Sequence, residues 1–175
     1  MSHELASATL GPADGLRHGA SMRSAIVLCL VALLASACGD DQDPEGARML
    51  WERIHAEGYR TWERAPGYRE RQPSRGAHGD AVIIYVNDVV AETLAADRRA
   101  YAWPVGSIIV KDGFSGPGVD LIAAMEKRPA ESGDDGQWFW VEWNDSGDTL
   151  YSGAPTLCTG CHRIGDDWVR GFFLP

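Results

Sequence analysis

The sequence predicts an α+β domain, a small antiparallel β-sheet meander flanked by helices. Three observations predict it. From Pro44 to about Trp62, Leu50, Ile54 and Trp62, with Trp51, His55 and Tyr59, recur at three- and four-residue spacing, the period of a helix with one buried face. Between residues 81 and 144, four runs rich in β-branched and aromatic residues are separated by short turn signals. Near the C-terminus, Cys158 and Cys161 are spaced to share one side of a short helical turn. Helices at the ends of a run of strands make α+β rather than alternating α/β.

Asp43-Pro44 opens the first helix, with Asp as cap and Pro in the first turn. Gly58 weakens that helix and Ala65-Pro66-Gly67 ends it. Residues 66–79 are rich in Arg, Gly and Pro and read as a loop. Ala81–Val86 is apolar at every position, so it reads as a strand covered on both faces. Asn87-Asp88 offers a cap for a short helix to about Ala96. Trp103–Gly106 is a turn, Ser107–Asp112 a second strand and Ser115–Gly118 a turn. Val119–Lys127 reads as a third strand, although Ala-Ala-Met-Glu within it suits a helix as well. Glu131–Gly136 is an acidic loop, and Gln137–Asn144 is the fourth strand.

The chain has 175 residues, 45% hydrophobic and 23% charged, which is the composition of a folded domain. Its net charge of −9 argues against a nucleic-acid binder, which normally carries a basic face. Ala25–Ala35 is apolar but too short to span a bilayer. After Met22-Arg23-Ser24 and before Ala35-Ser36-Ala37-Cys38 it reads as a signal peptide, with Met22 as the expected start. Cys38 after small residues resembles a bacterial lipoprotein box. That resemblance implies lipidation of Cys38 and a periplasm-facing protein anchored in the outer membrane, because Gly39 replaces the acidic retention residue. The expected organisation is an upstream extension and signal peptide over residues 1–37, a lipidated Cys and acidic tether over 38–45, and one domain over 46–175.

Cys158-Thr-Gly-Cys161-His162 is a CxxCH motif. Its two thiols can reach the two vinyl groups of one haem, and the following His then lies beneath the iron. In an exported chain this predicts a single covalently attached haem c, with Cys158 and Cys161 as attachment points and His162 as axial ligand. A zinc site would need a fourth ligand from distant His55 or His78. A CxxC disulfide leaves the adjacent His unexplained.

Further residues extend the pattern. They are Gly58-Tyr59-x-x-Trp62, His78-Gly79, Val82–Asn87, Trp103-Pro104-x-Gly106-Ser-Ile-Ile-Val-Lys111, Met125-x-Lys127-Arg128, Trp138-x-Trp140 and Asp167-Trp168-Val169. In this order and spacing the chain resembles the cytochrome P-460 family, including its cytochrome c′-beta branch. The resemblance implies an antiparallel sheet with flanking helices, often in a homodimer, and one c-type haem with His as sole protein ligand. In the enzyme branch a Lys bonds covalently to the porphyrin rim, and the Pro-x-Gly element carries that role to Lys111. The chain has fourteen Arg but only two Lys, so a Lys on a strand invites a special reason.

The resemblance implies one of two activities. Hydroxylamine oxidation, with or without nitric oxide, needs an open iron position, a base and a redox partner cytochrome. Binding of nitric oxide or carbon monoxide needs only an apolar cap. Asp112, Glu126 and Glu142 are the candidate bases, with Asp112 expected to face away from Lys111 by strand alternation. Phe114 is the candidate cap. His78 and Met125 are possible sixth ligands that the resemblance disfavours. Trp138 and Trp140 share a strand face and are expected to pack the sheet and wall the haem.

Overall fold

The computed structural model describes residues 42–96, 100–129 and 138–175. The expected signal peptide, Cys38 and the acidic loop Glu131–Gly136 lie outside the described residues. The described residues all belong to one unit, Gly39–Pro175.

Helix α1 spans Pro44–Ala56, and the Asp43 side chain accepts from the Gly46 N–H as its cap. The expected helix to Trp62 stops earlier. Gly58 takes a left-handed φ of 63°, which breaks the α ladder, and Tyr59–Thr61 continue as one 3₁₀ turn. Two short strands, β1 (Glu63–Arg64) and β2 (Gln72–Pro73), pair with β3 (Ala81–Val86). Helix α2 (Asp88–Ala95) is capped by Asn87, as expected. The meander continues through β4 (Ile108–Phe114), β5 (Leu121–Lys127), β6 (Trp138–Asn144) and β7 (Thr149–Gly153). Residues 121–127 are strand, not helix: β5 lies between β4 and β6 and fills both ladders, so tertiary pairing overrides its Ala-Ala-Met-Glu. Helix α3 (Thr156–His162) follows β7.

The seven-stranded sheet has the order β1-β3-β4-β5-β6-β7, with β2 also on β3, and every pairing is antiparallel. Strong alternation gives the sheet two different faces. On one face Ala47, Leu50 and Ile54 of α1 pack on Val110, Ile122 and Val141. Fully burying Leu50 or Ile54 contributes about 1.5–3 kcal/mol each. On the other face Ile84, Ile109, Met125 and Trp140 pack with α2 and with Val169 and Phe172 of the C-terminal segment. That segment and α3 leave part of this second face uncovered from within, and a cavity lies there.

Candidate haem site

Helix α3 starts where Pro155 fixes the backbone at φ −61°, and the N–H groups of Cys158 and Thr159 both bond the Pro155 carbonyl, at 2.9 and 3.0 Å. The turn carries Cys158, half-buried, and Cys161, exposed, both in thiol form. With His162 they line one end of a cavity of about 510 Å³. That volume is in the range of small-molecule and cofactor pockets.

His162 is held by its backbone surroundings. Its Nδ1 lies 2.9 Å from the Trp168 carbonyl, which can only accept, so Nδ1 carries the proton and Nε2 presents a lone pair. Burial pushes the imidazole down to about pKa 4, with Lys111, His78 and Arg170 adding to the shift against the Trp168 hydrogen bond. The ring is therefore neutral at physiological pH, as a metal-ligating imidazole must be.

The sheet supplies the opposite wall. Lys111 of β4 is in register with Ala123 of β5, and Ala123 with Glu142 of β6. Strand spacing puts the two ends of this row roughly 10 Å apart, with only a methyl group between them. All three residues line the cavity. Burial, with a smaller contribution from Arg170, lowers Lys111 to about pKa 8 against the opposing pull of Glu142. A register shift of β7 falls opposite Glu142 and Trp143, a bulge of the kind that re-aims a neighbouring side chain.

Glu142 Oε2 lies 3.1 Å from His78 Nδ1, and both side chains are largely buried. His78 also faces His162, with ring centroids 6.4 Å apart. Two glycines hold His78 there. Gly79 has φ 92°, and a Cβ on Gly113 would overlap the His78 carbonyl, so the loop lies directly on β4.

The structure thus gathers Cys158, Cys161, His162, Lys111, Glu142 and His78 around one space, with Met125 and Trp140 in its wall. It does not gather the other candidates. Asp112 alternates to the α1 face, as its neighbour position requires, and accepts from Tyr59 Oη at 2.7 Å and Arg60 Nε at 2.8 Å. Glu126 lies on that face too, bonded to Arg53 at 2.5 Å and Arg128 at 2.8 Å. Of the three carboxylates, only Glu142 reaches the cavity. Phe114 is no cap: two residues on from Asp112 it shares that residue's face of the strand, and the Arg71 guanidinium covers its ring at 3.7 Å. Trp138 does not line the cavity; its indole donates to the Asp167 carbonyl at 2.9 Å. His55 stacks on Trp51 on α1, away from the thiols. Sequence reasoning missed Arg170 and the Trp168 carbonyl. A backbone carbonyl has no sequence signal, and Arg170 sits on an irregular segment with no period to mark it.

The residues present fit a haem. Among the described residues no three His, Cys, Asp or Glu side chains cluster as a metal site. A closed zinc site therefore lacks its ligands, whereas a tetrapyrrole brings its own nitrogen donors and needs only an axial one. The donor set of two thiols and one neutral imidazole suits that cofactor. Trp140, in the wall and 4.6 Å from the His162 ring, leaves its buried indole N–H without a hydrogen-bond partner among the described residues, a donor open to a bound group.

No curated protein matches the chain. The profile of the Cytochrome P460 family matches residues 56–169, a span that runs from the end of α1 past His162 and includes all the cavity residues named above except Arg170 and Phe172. Membership implies a haem cofactor of the kind that CxxCH announces. The chain belongs to the cytochrome P460 family.

Proposed function

We propose that this chain is an exported c-type mono-haem protein that oxidises hydroxylamine, with or without nitric oxide, and passes the electrons to a partner cytochrome. Cys158 and Cys161 would hold the haem by thioether bonds, and His162 would be the protein ligand to its iron. When bound, the haem would supply one-electron redox chemistry toward a small nitrogen substrate. The reading is carried by one observation: Lys111 and Glu142 close the same cavity, in one register row, opposite the CxxCH helix.

Each side chain has a task in this reading. Oxidation of hydroxylamine releases protons with the electrons, and Glu142 is the base that takes them. Lys111 is the candidate for the bond to the macrocycle rim. Burial and Arg170 favour its neutral amine, which is the nucleophilic form. That C–N bond would replace one N–H and one C–H bond, a two-electron oxidation that would need a peroxide-type oxidant. Tyr68, Arg170 and the loop at Ser74–His78 complete the cavity wall. Lipidation at Cys38 keeps the domain at the periplasmic face of the outer membrane, and a homodimer fits the same reading.

Proteolysis of the haem-loaded protein tests it. One haem peptide is expected to contain both residues 158–162 and the Lys111 strand, with two hydrogens missing. A haem peptide with the first segment alone removes the cross-linked enzyme. A second reading would then stand, in which the iron binds nitric oxide or carbon monoxide without turnover. The apolar part of the wall, Val82, Ile84, Ile109 and Met125, favours it. The ferric spectrum separates the two, since a cross-linked haem is red-shifted and green. A low-spin six-coordinate spectrum would refute both and point to His78 or Met125 as a sixth ligand in plain electron transfer.

A further inference from the structure

The chain's two lysines both lie on the cavity side of the sheet, but Lys127 serves a different structure. Its Nζ grips both oxygens of Asp167, at 2.8 and 2.9 Å, and the two side chains are 6% and 13% exposed. Asp167 is fastened twice more. The Trp103 backbone N–H donates to its carboxylate at 2.8 Å, and the Trp138 indole donates to its carbonyl at 2.9 Å. Three separate segments of the fold thus converge on one aspartate.

What they hold is an unfavourable backbone. Asp167 has φ 45° and Trp168 has φ 71°, two consecutive non-glycine residues in the left-handed region. For a bulky Trp this conformation persists only where the surroundings over-determine it. The turn is also tight: Gly165 N–H bonds the His162 carbonyl at 2.9 Å, and a Cβ on Gly165 would overlap the Val169 carbonyl. The outcome of this corner is the Trp168 carbonyl at 2.9 Å from His162 Nδ1.

We infer that Lys127 and Asp167 are positioning residues for His162. The pair fixes the 167–168 corner, the corner aims the Trp168 carbonyl, and the carbonyl sets the tautomer, rotation and basicity of the imidazole. Outer hydrogen bonds of this kind tune metal-ligating histidines. An ion pair serving the fold alone would have no reason to stabilise a left-handed corner at the residue that contacts the ligand ring.

The inference rests on His162 being the axial ligand. It is tested on the full haem-loaded chain by the iron–histidine stretching frequency of the ferrous protein and by the haem reduction potential. Lys127→Met is expected to lower the frequency and raise the potential, because a weakened Nδ1–H bond makes the imidazole a poorer donor. Asp167→Asn, which keeps an acceptor for Trp103 but loses the charge, is expected to shift both the same way and less. Lys127→Arg restores most of both. A folded Lys127→Met or Asp167→Asn protein with wild-type frequency and potential overturns the assignment. Failure of both variants to fold overturns it as well, by giving the pair to the fold alone. A wild-type protein without an iron–histidine band refutes the axial-ligand reading itself, whatever the variants do.

Discussion

The two faces of the sheet come from alternate residues of the same strands, yet they treat charge in opposite ways. On the α1 face each buried carboxylate meets arginine: Asp112 has Arg60 and a tyrosine hydroxyl, and Glu126 has Arg53 and Arg128. On the cavity face the one hydrogen-bond partner of Glu142 among the described residues is the His78 imidazole, and Lys111 lies in the wall of an open space. Guanidinium pairs keep their charge at any ordinary pH and fix a carboxylate in place. An imidazole partner and a lysine with lowered affinity for protons leave the second face able to exchange protons and ligands. Position on the strand, rather than residue type, thus separates the arginine-paired acids from Glu142, the base of the proposed reaction.

Removing both thiols breaks the comparison most severely. Cys158→Ala with Cys161→Ala is expected to abolish covalent haem, read as loss of haem staining after denaturing electrophoresis. Next comes Glu142→Gln. If the cavity face does the chemistry, hydroxylamine turnover falls by roughly 10²-fold or more, while urea stability changes by less than about 1 kcal/mol. Asp112→Ala should do the reverse. It strands the Tyr59 hydroxyl and lowers stability by about 2–3 kcal/mol in urea melts, with the haem spectrum unchanged. A loss of turnover in this variant would erase the distinction between the faces.

The smallest effect concerns pH. Burial depresses Lys111 to about 8 in the folded chain, below its unfolded value, so protonation favours unfolding. The resulting penalty is full below about pH 8 and fades as pH rises toward the unfolded value. Lys111→Met in the haem-free protein should therefore be more stable than wild type at pH 7, by about 1 kcal/mol, since water in the open cavity moderates the cost. That advantage should shrink at pH 9–10. Denaturant melts at pH 7 and pH 9.5 check both the sign and the trend.

Much of this was legible in the sequence because the signals were local. Asp43-Pro44 and Asn87-Asp88 marked real helix caps, and four strands stood where β-branched and aromatic runs lay. CxxCH named its own three residues, and strand alternation separated Lys111 from Asp112. The missing parts depend on other segments. The pairs at β1 and β2 are two residues long and exist only because β3 offers an edge. Strand β7 buries only Ser152 and Gly153, so it has no buried apolar side chain to announce it. Alternation also excluded Glu126 and Phe114, but only once register and the covering helix were known. The Trp168 carbonyl and the Lys127–Asp167 pair are products of tertiary closure, although Lys127 and Asp167 both stood in the resemblance.

Gly113 carries a last consequence. Because it leaves no room between β4 and the carbonyl of His78, the loop bearing that histidine and the strand bearing Lys111 are mechanically one body. Any side chain introduced at 113 would act as a wedge, prising the His78 loop away and widening the gap to Glu142 without touching a single reactive group. Drift at this site is therefore closed to the family member except in step with a rebuilt loop.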